Sequence, residues 1–325
     1  MTSLCNTTLP LWYTIEQSPE ALRANASTQQ LLTDKNVLAV QALLCVGRTL
    51  GQVLEGGWFL VLECCEKLDH VMRIRGSQGA GSANAPSVSS VTSEQIAMLC
   101  SGLDAIFRES NNLSDAAFYH LVVGLSRLSA VHLQSPHSLA AQAPTRKSFA
   151  LTRLIEISSS NIARLEVVCD ALLEHLRVVC NHSNPSIRSF GVDAATQLIT
   201  EAFAYHSHAS AAATASDQEP PSPSAASSSE HSQRAPSKAS LAQPSEQSIY
   251  LQTRLLEALE ELSRSQHSET RHRTLESLHN ILQSSGQGFL QVRSAHFILM
   301  HSLSLTLTRS QCNCFNRVGH WYSQS

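Results

Sequence analysis

Chemistry in this chain would have to come from a few scattered side chains. Cys312, Cys314 and His320 suggest zinc, but one C-x-C with a histidine six residues on lacks the paired spacing of a structural zinc site. They read as a chance cluster in the tail. Cys64 and Cys65 lie side by side in a helical pattern near Trp58 and Leu68. Adjacent helical residues point about 100° apart, so at most one of the two should face the core fully. No basic neighbour supports a reactive thiolate there. His70, His120, His132, His175 and His182 occur singly, and no H-E-x-x-H, G-x-S-x-G or Walker-type loop is present. Gly76, Gly79 and Gly81 follow no strand, which argues against a phosphate cradle. Ser222-Pro223 is a candidate acceptor for a proline-directed kinase, although such pairs are common in linkers. Arg188 and Asp193 fall where charged residues either pair across a helical-repeat seam or stay on a solvated face, and both readings stand. No catalytic, cofactor-binding or metal residue is assigned, and no cofactor is expected.

The elements that would position these groups are helices. From Asn161 to Phe203, Ile162, Leu165, Val168/Cys169, Leu172, Leu176 and Val179 keep a three-then-four spacing. His182 to Asn184 interrupt it. Asn184 is a good N-cap, and Pro185 suits the first helical position, where its missing N–H costs nothing. The period resumes with Ile187, Phe190, Ala194, Leu198 and Ala202. This is an αα-hairpin whose apolar faces the pair alone cannot bury.

The pattern recurs along the chain. Residues 1–28 are an uncertain N-terminal segment, in which Leu11, Trp12, Tyr13 and Ile15 suggest the end of a helix. Residues 29–75 form a hairpin, with Leu31, Val37/Leu38, Leu43/Leu44, Val46 and Leu50 on one helix and Trp58, Val61/Leu62, Cys65, Leu68 and Val71/Met72 on the next. Gly51 marks the exit of the first helix, and Gly56-Gly57 punctuate the turn. Residues 76–93 are Gly/Ser/Ala-rich and read as a flexible loop.

Residues 94–204 carry further helical repeats: one pair around Leu99 and Leu121, with Ser114 as a cap; a short helix around Leu154; then the hairpin above. Residues 205–247 are rich in Ser, Ala, Pro, Gln and Glu and are expected to be a disordered insertion, unable to bury enough surface to offset ordering entropy. Residues 248–287 form another hairpin, with Leu251, Leu255/Leu256, Leu259, Leu262, Leu275, Leu278 and Ile281/Leu282 as its stripe. Residues 288–325 are an atypical tail that follows neither period. The fold class is all-α, an α-solenoid of armadillo/HEAT-like hairpins with disordered insertions.

Composition narrows the function. Across 325 residues, 23 basic and 26 acidic side chains give a net charge of −3, with no dense Lys/Arg block to attract nucleic acid. Aromatic residues are 5% of the chain, and β-branched strand runs are scarce. The N-terminus lacks the basic and apolar regions of a secretory signal. No run approaches the roughly 20 apolar residues of a membrane span; the nearest, Ala295 to Leu307, is broken by His296, His301 and hydroxyls. Cys45, Cys100, Cys169 and Cys180 sit singly on apolar faces, as small core residues do. A cytoplasmic, reducing setting follows, in which Asn-x-Ser/Thr triplets such as Asn6-Thr7-Thr8 arise by chance.

Four blocks carry a resemblance: KNVLAVQALLCVGRTLGQVLEGGWFLVLECCEKL, IFRESNNLSDAAFYHLVVGLSRLS, FALTRLIEISSSNIARLEVVCDALLEHLRVVCNHSNPSIRSFGVDAATQLI and LEELSRSQHSETRHRTLESLHNILQSSGQ. In the same order, they resemble the helical repeats flanking the catalytic domain of large Sec-seven (BIG-type) Arf exchange factors, and more closely their non-catalytic relative, the Mon-two family. The resemblance covers about residues 30–286. It implies a non-catalytic scaffold in endosome-to-Golgi and Golgi vesicle-mediated protein transport, peripheral on trans-Golgi network and endosome membranes. The implied partners are a Dopey-family protein and a P-four-type lipid flippase; an Arf-like small GTPase is a further candidate. The alternative is an accessory or regulatory region of an Arf-type exchange factor. No Sec-seven catalytic glutamate loop is present, so exchange activity is not expected. The chain is far shorter than a complete member and reads as an internal fragment or truncated gene model.

Overall fold

The computed structural model describes residues 2–8, 32–78, 91–134, 148–216 and 246–285. Among these, ten α-helices and four short 3₁₀ turns account for nearly everything, with no strand. They are α1 (Thr2–Thr7), α2 (Asp34–Thr49), α3 (Trp58–Gln78), α4 (Ser93–Arg108), α5 (Asp115–Gln134), α6 (Phe149–Ser160), α7 (Leu165–Cys180), α8 (Pro185–Ser216), α9 (Glu246–Ser263) and α10 (Ser268–Ser285).

The helices begin where side chains satisfy their first N–H groups. Thr33 and Asn36 form a reciprocal capping box at α2, with Thr33 Oγ1 accepting from the Asn36 N–H at 3.3 Å and Asn36 Oδ1 accepting from the Thr33 N–H at 2.9 Å. Thr92 and Gln95 do the same for α4, one residue before the start expected at Ser93-Glu94. Ser114 Oγ accepts from the Ala117 N–H at α5, and Asn184 Oδ1 accepts from the Ser186 N–H at 2.9 Å with Pro185 opening α8.

The helices stack in two layers. Helices α2, α4, α6, α8 and α10 pack in succession in one layer, and α3, α5, α7 and α9 in the other. Cross-layer packing is strong for α5–α6, α7–α8 and α9–α10, while α1 covers the start of both layers by packing on α2 and α3. One apolar core runs between the layers from Leu32 to Ile281. This is the all-α solenoid that the periodicity implied: each unit contacts mainly its neighbours, and the stack buries what no hairpin buries alone.

Some expectations change. The stretch around Leu154, read as a short helix preceding a hairpin, is α6, a full member of its layer with Phe149, Ala150, Leu151, Leu154 and Ile157 buried. Helix α3 runs through Gly76 to Gln78, into the expected loop 76–93, and Val91 at the loop's other end is buried. Helix α8 runs to Ser216, past the expected end at residue 204 and into the expected disordered insertion. Alanine, the best helix former, dominates that extension. Glu55, rather than Gly56 or Gly57, takes the left-handed conformation in the α2–α3 turn, with φ 44°. Leu38 and Leu50, counted in the apolar stripe, are exposed. The expected tail 288–325 lies outside the described residues, as does most of 1–28.

Helix α5 is long and apolar enough by length and composition to cross a membrane, contrary to the expectation that no run approaches such a span. Half of that window is buried inside the protein, where Phe118, Leu121, Val122, Leu125 and Leu128 form the middle of the core. Its apolar character is accounted for by packing on both sides within its layer.

Helices α7 and α8 approach closely at Gly191. A Cβ there would meet Val179 Cγ1 at 2.6 Å and the Cys180 backbone nitrogen at 3.2 Å. Alanine would gain helix propensity of about 1 kcal/mol, but the Cys180 backbone cannot rotate away. Gly191→Ala is therefore expected to lower stability by about 1–3 kcal/mol, read as a drop in the urea midpoint. An unchanged or raised midpoint would show that the α7–α8 crossing has slack.

Candidate functional site

The described residues bring together no group of three or more His, Cys, Asp or Glu side chains able to hold a metal ion. Cys312, Cys314 and His320 fall outside them, as do Gly79, Gly81 and Ser222-Pro223. The features built with most care are the edges of the stack, where the turns meet.

One edge is a ladder linking three successive connectors. Arg48 at the end of α2 grips Glu109 with two hydrogen bonds, Nε to Oε2 at 3.0 Å and Nη2 to Oε1 at 2.6 Å. Gln52, in the 3₁₀ turn Gly51–Val53, donates to the Asn112 carbonyl and accepts from the Ser114 N–H, each at 2.9 Å. The next connector repeats the idea: Asn161 Nδ2 donates to Ser110 Oγ at 2.9 Å. Arg164 then reaches back to the Leu113 carbonyl at 2.6 Å, the Ser110 carbonyl at 3.0 Å and Asn161 Oδ1 at 2.9 Å, while stacking 4.6 Å from the centre of the Phe118 ring. The Ser110 carbonyl lies in the 3₁₀ turn Glu109–Asn112, and Leu113 is the residue that ends it.

Arg164 is thus a turn clamp that uses both its fork and its flat face. Arg164→Ala is expected to cost about 1–3 kcal/mol, and Arg164→Lys should not recover it, because an ammonium can neither span two carbonyls nor stack as a plane. Chemical denaturation of the two variants side by side checks this. Full rescue by lysine would reduce the role to charge alone.

The opposite edge joins the α7–α8 and α9–α10 turns. Ser265 Oγ donates to Asn181 Oδ1 at 2.8 Å. Arg188 is buried and donates to the His182 and Ser183 carbonyls at 2.8 and 3.2 Å. Arg271 stands in the equivalent place, donating to the Ser265 carbonyl at 2.8 Å. Arg188 therefore holds its own turn rather than a neighbour. Asp193 does pair across the seam, with Arg273 of α10, which also donates to Ser189 Oγ at 2.8 Å. His182 accepts the Asn184 N–H at Nδ1 and sits with Nε2 3.4 Å from the Leu133 carbonyl.

The remaining histidines separate by environment. His132 pairs with Glu66 at 2.5 Å across α5 and α3, and that hydrogen bond raises its pKa above the ordinary value. His70 is buried, and burial pushes His175 down to about 4. Both Cys64 and Cys65 are buried, contrary to the expectation that at most one would be. The reason is α1, which covers a second side of α3. Burial raises both thiols, Cys64 to about 12, so neither is a ready nucleophile. Cys169 and Cys180 are likewise pushed up to about 12 by burial.

On the outer face a shallow groove of about 220 Å³ lies between α7, α8 and α9. Leu173, Leu176, Ala195, Ile199, Ala258 and Leu262 contribute its apolar lining. At its rim, Arg177 bridges Glu174 and Glu261, while Arg254 bridges Asp170 and Glu257. Those charges satisfy one another. The groove thus combines an apolar floor with a rim of internally paired charges.

The sequence singled out Arg188, Asp193 and the cysteines, but missed Arg164, Gln52 and Asn161, whose partners lie some 50–60 residues away. One signal was readable: Arg188 and Arg271 each follow, by six residues, the turn carbonyl they hold.

No family model matches the chain. Among curated proteins, it is 28% identical over 266 residues to the protein MON2 homolog of Drosophila melanogaster, a match covering 79% of this chain and 14% of the relative. The protein MON2 homolog of Homo sapiens is 26% identical over 263 residues, covering 79% of this chain and 13% of the relative. Monensin-resistant homolog 2 of Caenorhabditis elegans is 30% identical over 185 residues, covering 54% of this chain and 11% of the relative. The chain thus corresponds to a small part of each relative's length. MON2 homologs are matched from fly and human over 79% of the chain and from nematode over 54%, which supports membership of the MON2 family.

Proposed function

We propose that this chain is a non-catalytic helical-repeat scaffold in Golgi vesicle-mediated and endosome-to-Golgi protein transport. It works through protein–protein contacts at the cytoplasmic surface of trans-Golgi network and endosome membranes. The observation that carries this reading is the match to MON2 homologs over 79% of the chain, taken with the two-layer stack that this stretch folds into. Stacked hairpins offer long contact surfaces without a catalytic pocket, the form scaffolds use to hold several partners at once. The partners proposed are a Dopey-family protein and a P-four-type lipid flippase, with an Arf-like GTPase as the partner under the alternative of an exchange-factor accessory region.

The test is an affinity capture with the full chain from cell extract, read by mass spectrometry against an Arg164→Ala control. Enrichment of the Dopey-type protein or the flippase supports the scaffold. Arf-type GTPases without either of those would replace it with the regulatory reading. Recovery of chaperones alone would sink the proposal for this chain.

A further inference from the structure

We propose that the groove between α7 and α9 docks a basic, amphipathic helical segment of a partner protein, one presenting two cationic side chains a helical turn apart. The two helices pack side by side in one layer, and α8 contributes to the floor between them. Their charged residues fall in two rungs. In the first, Arg254 donates from Nε to Asp170 Oδ1 at 2.8 Å and from Nη1 to Glu257 Oε2 at 2.6 Å. In the second, Arg177 donates to both oxygens of Glu174, at 3.1 and 2.7 Å, and from Nη1 to Glu261 Oε1 at 3.2 Å. Each rung therefore sets two carboxylates around one guanidinium. The lining as a whole carries four carboxylates and two arginines, a net charge of −2.

The surplus charge is placed on α9. Each arginine bonds one oxygen of the α9 glutamate in its rung, so among the described residues Glu257 Oε1 and Glu261 Oε2 remain open to a further donor. The second oxygen of Asp170 is taken, by the Tyr250 hydroxyl at 3.1 Å. Glu257 and Glu261 are both more than half exposed, and their spacing of four residues puts them about 6 Å apart along the helix. Ala258 lies beside Glu257 and, with Leu173 of α7, forms the half-buried apolar part of the lining, while Leu176, Ile199 and Leu262 lie deeper in the core. The short Ala258 side chain leaves space that an incoming aliphatic side chain fills.

This pattern selects the ligand. A volume of about 220 Å³ is below the roughly 300–1,000 Å³ of pockets that enclose small molecules, so the groove receives side chains rather than a whole ligand. Its negative charge disfavours phosphate, and with it nucleic acid and anionic lipid headgroups. Lysines or arginines four residues apart on a helix share one face at the spacing of the two glutamates, and leucines three residues after each lie on that same face. An amphipathic helix laid in a groove is anchored in this way by residues a turn apart. The site rests on the groove alone and is independent of the role in membrane traffic proposed above.

The test is fluorescence anisotropy with the purified full chain and a labelled helical peptide carrying Lys-Ala-Ala-Leu-Lys-Ala-Ala-Leu between alanine-rich flanks. A control peptide has glutamate in place of both lysines. Saturable binding of the lysine peptide is expected, with the glutamate peptide roughly tenfold weaker or worse. Glu257→Gln/Glu261→Gln should weaken binding of the lysine peptide by roughly fivefold, the size expected of two exposed ion pairs. Both positions are exposed, so the double variant should keep its unfolding midpoint, and the loss then reports binding. Salt at about 1 M, where the Debye length is about 3 Å, should weaken the wild type by a similar factor and the double variant little. Ala258→Phe should weaken binding without changing any charge; if that variant fails to fold, the double variant and the salt series still decide. No saturable binding, equal binding of the two peptides, or a double variant that binds as the wild type does would each overturn the proposal. So would a dimer of the chain that the double variant dissolves, which assigns the groove to a second copy.

Discussion

Trp58→Ala is expected to lower stability by about 3–5 kcal/mol. Trp58 is the largest of the fully buried side chains, 1% exposed, and it fills the space where α3 leaves the first turn and meets α5. A Cβ on Gly51 would lie 3.0 Å from its ring, and a Cβ on Gly124 of α5 would lie 3.5 Å from its own Cβ. Gly51 thus leaves room for the indole, and Gly124 for the base of the same side chain and for Leu62. Leu113, from the second connector, closes on the same spot, 3.1 Å from the Gly51 Cβ position. The indole N–H donates to the Gly51 carbonyl at 3.2 Å, giving that turn carbonyl a partner. Removing the ring leaves a cavity at the start of the turn ladder and an unsatisfied carbonyl beside it.

In a stack of neighbouring units the loss should open α2 and α3 before the rest, so urea unfolding should broaden or split into two steps. Trp58→Phe keeps most of the buried area and loses only the hydrogen bond, so it should cost about 1–2 kcal/mol. A loss of under 1 kcal/mol for the alanine variant, with a single sharp transition, would mean that the first hairpin does not depend on this anchor.

Acidification should be nearly as costly, through His175. Its ring is buried in α7, its Nε2 makes no hydrogen bond among the described residues, and burial alone lowers its pKa from 6.5 to about 4. The folded state binds this proton less readily than the unfolded chain. Stability therefore falls as pH drops from about 6.5 toward 4, and the contribution is fully present only above 6.5. The interval corresponds to roughly 3 kcal/mol at most.

His132 has the opposite sign. Its pKa is raised by Glu66, so the stability it adds is present below its unfolded value of 6.5 and is lost as pH rises through its higher folded value. The two effects separate by variant. His175→Leu should flatten the loss between pH 6.5 and 4, with little change at neutral pH, and Glu66→Gln should remove the added stability in the acidic range. Unfolding midpoints across pH check both. A wild-type and a His175→Leu curve of equal slope would exclude His175 as the acid-sensitive group.

The sequence alone determined what is local. Helix faces follow from apolar spacing within one or two turns, because the i, i+4 geometry of a helix is set by its own backbone. Leu165, Val168, Leu172, Leu176 and Val179 accordingly fall where their spacing put them, buried in the core. The Asn184–Pro185 start of α8 was legible for the same reason: a cap bonds to an N–H two residues away. The family resemblance was legible too, since it rests on ordered local patterns. Loop and helix limits in residues 76–93 and 205–216 were misjudged because composition says little about where a helix with good formers stops.

Tertiary structure alone decided the rest. That α2 packs on α4 and α3 on α5, that α6 is a full layer member, and that Arg164 clamps a connector some 50 residues earlier all depend on how far the chain travels before it returns. Cys64 is buried for a similar reason, beneath a helix that lies more than 50 residues earlier in the sequence. These contacts close long loops, and no short-range pattern encodes which distant residue will arrive. The stripe on each helix says that it must be covered; only the shared core of the stack settles what covers it.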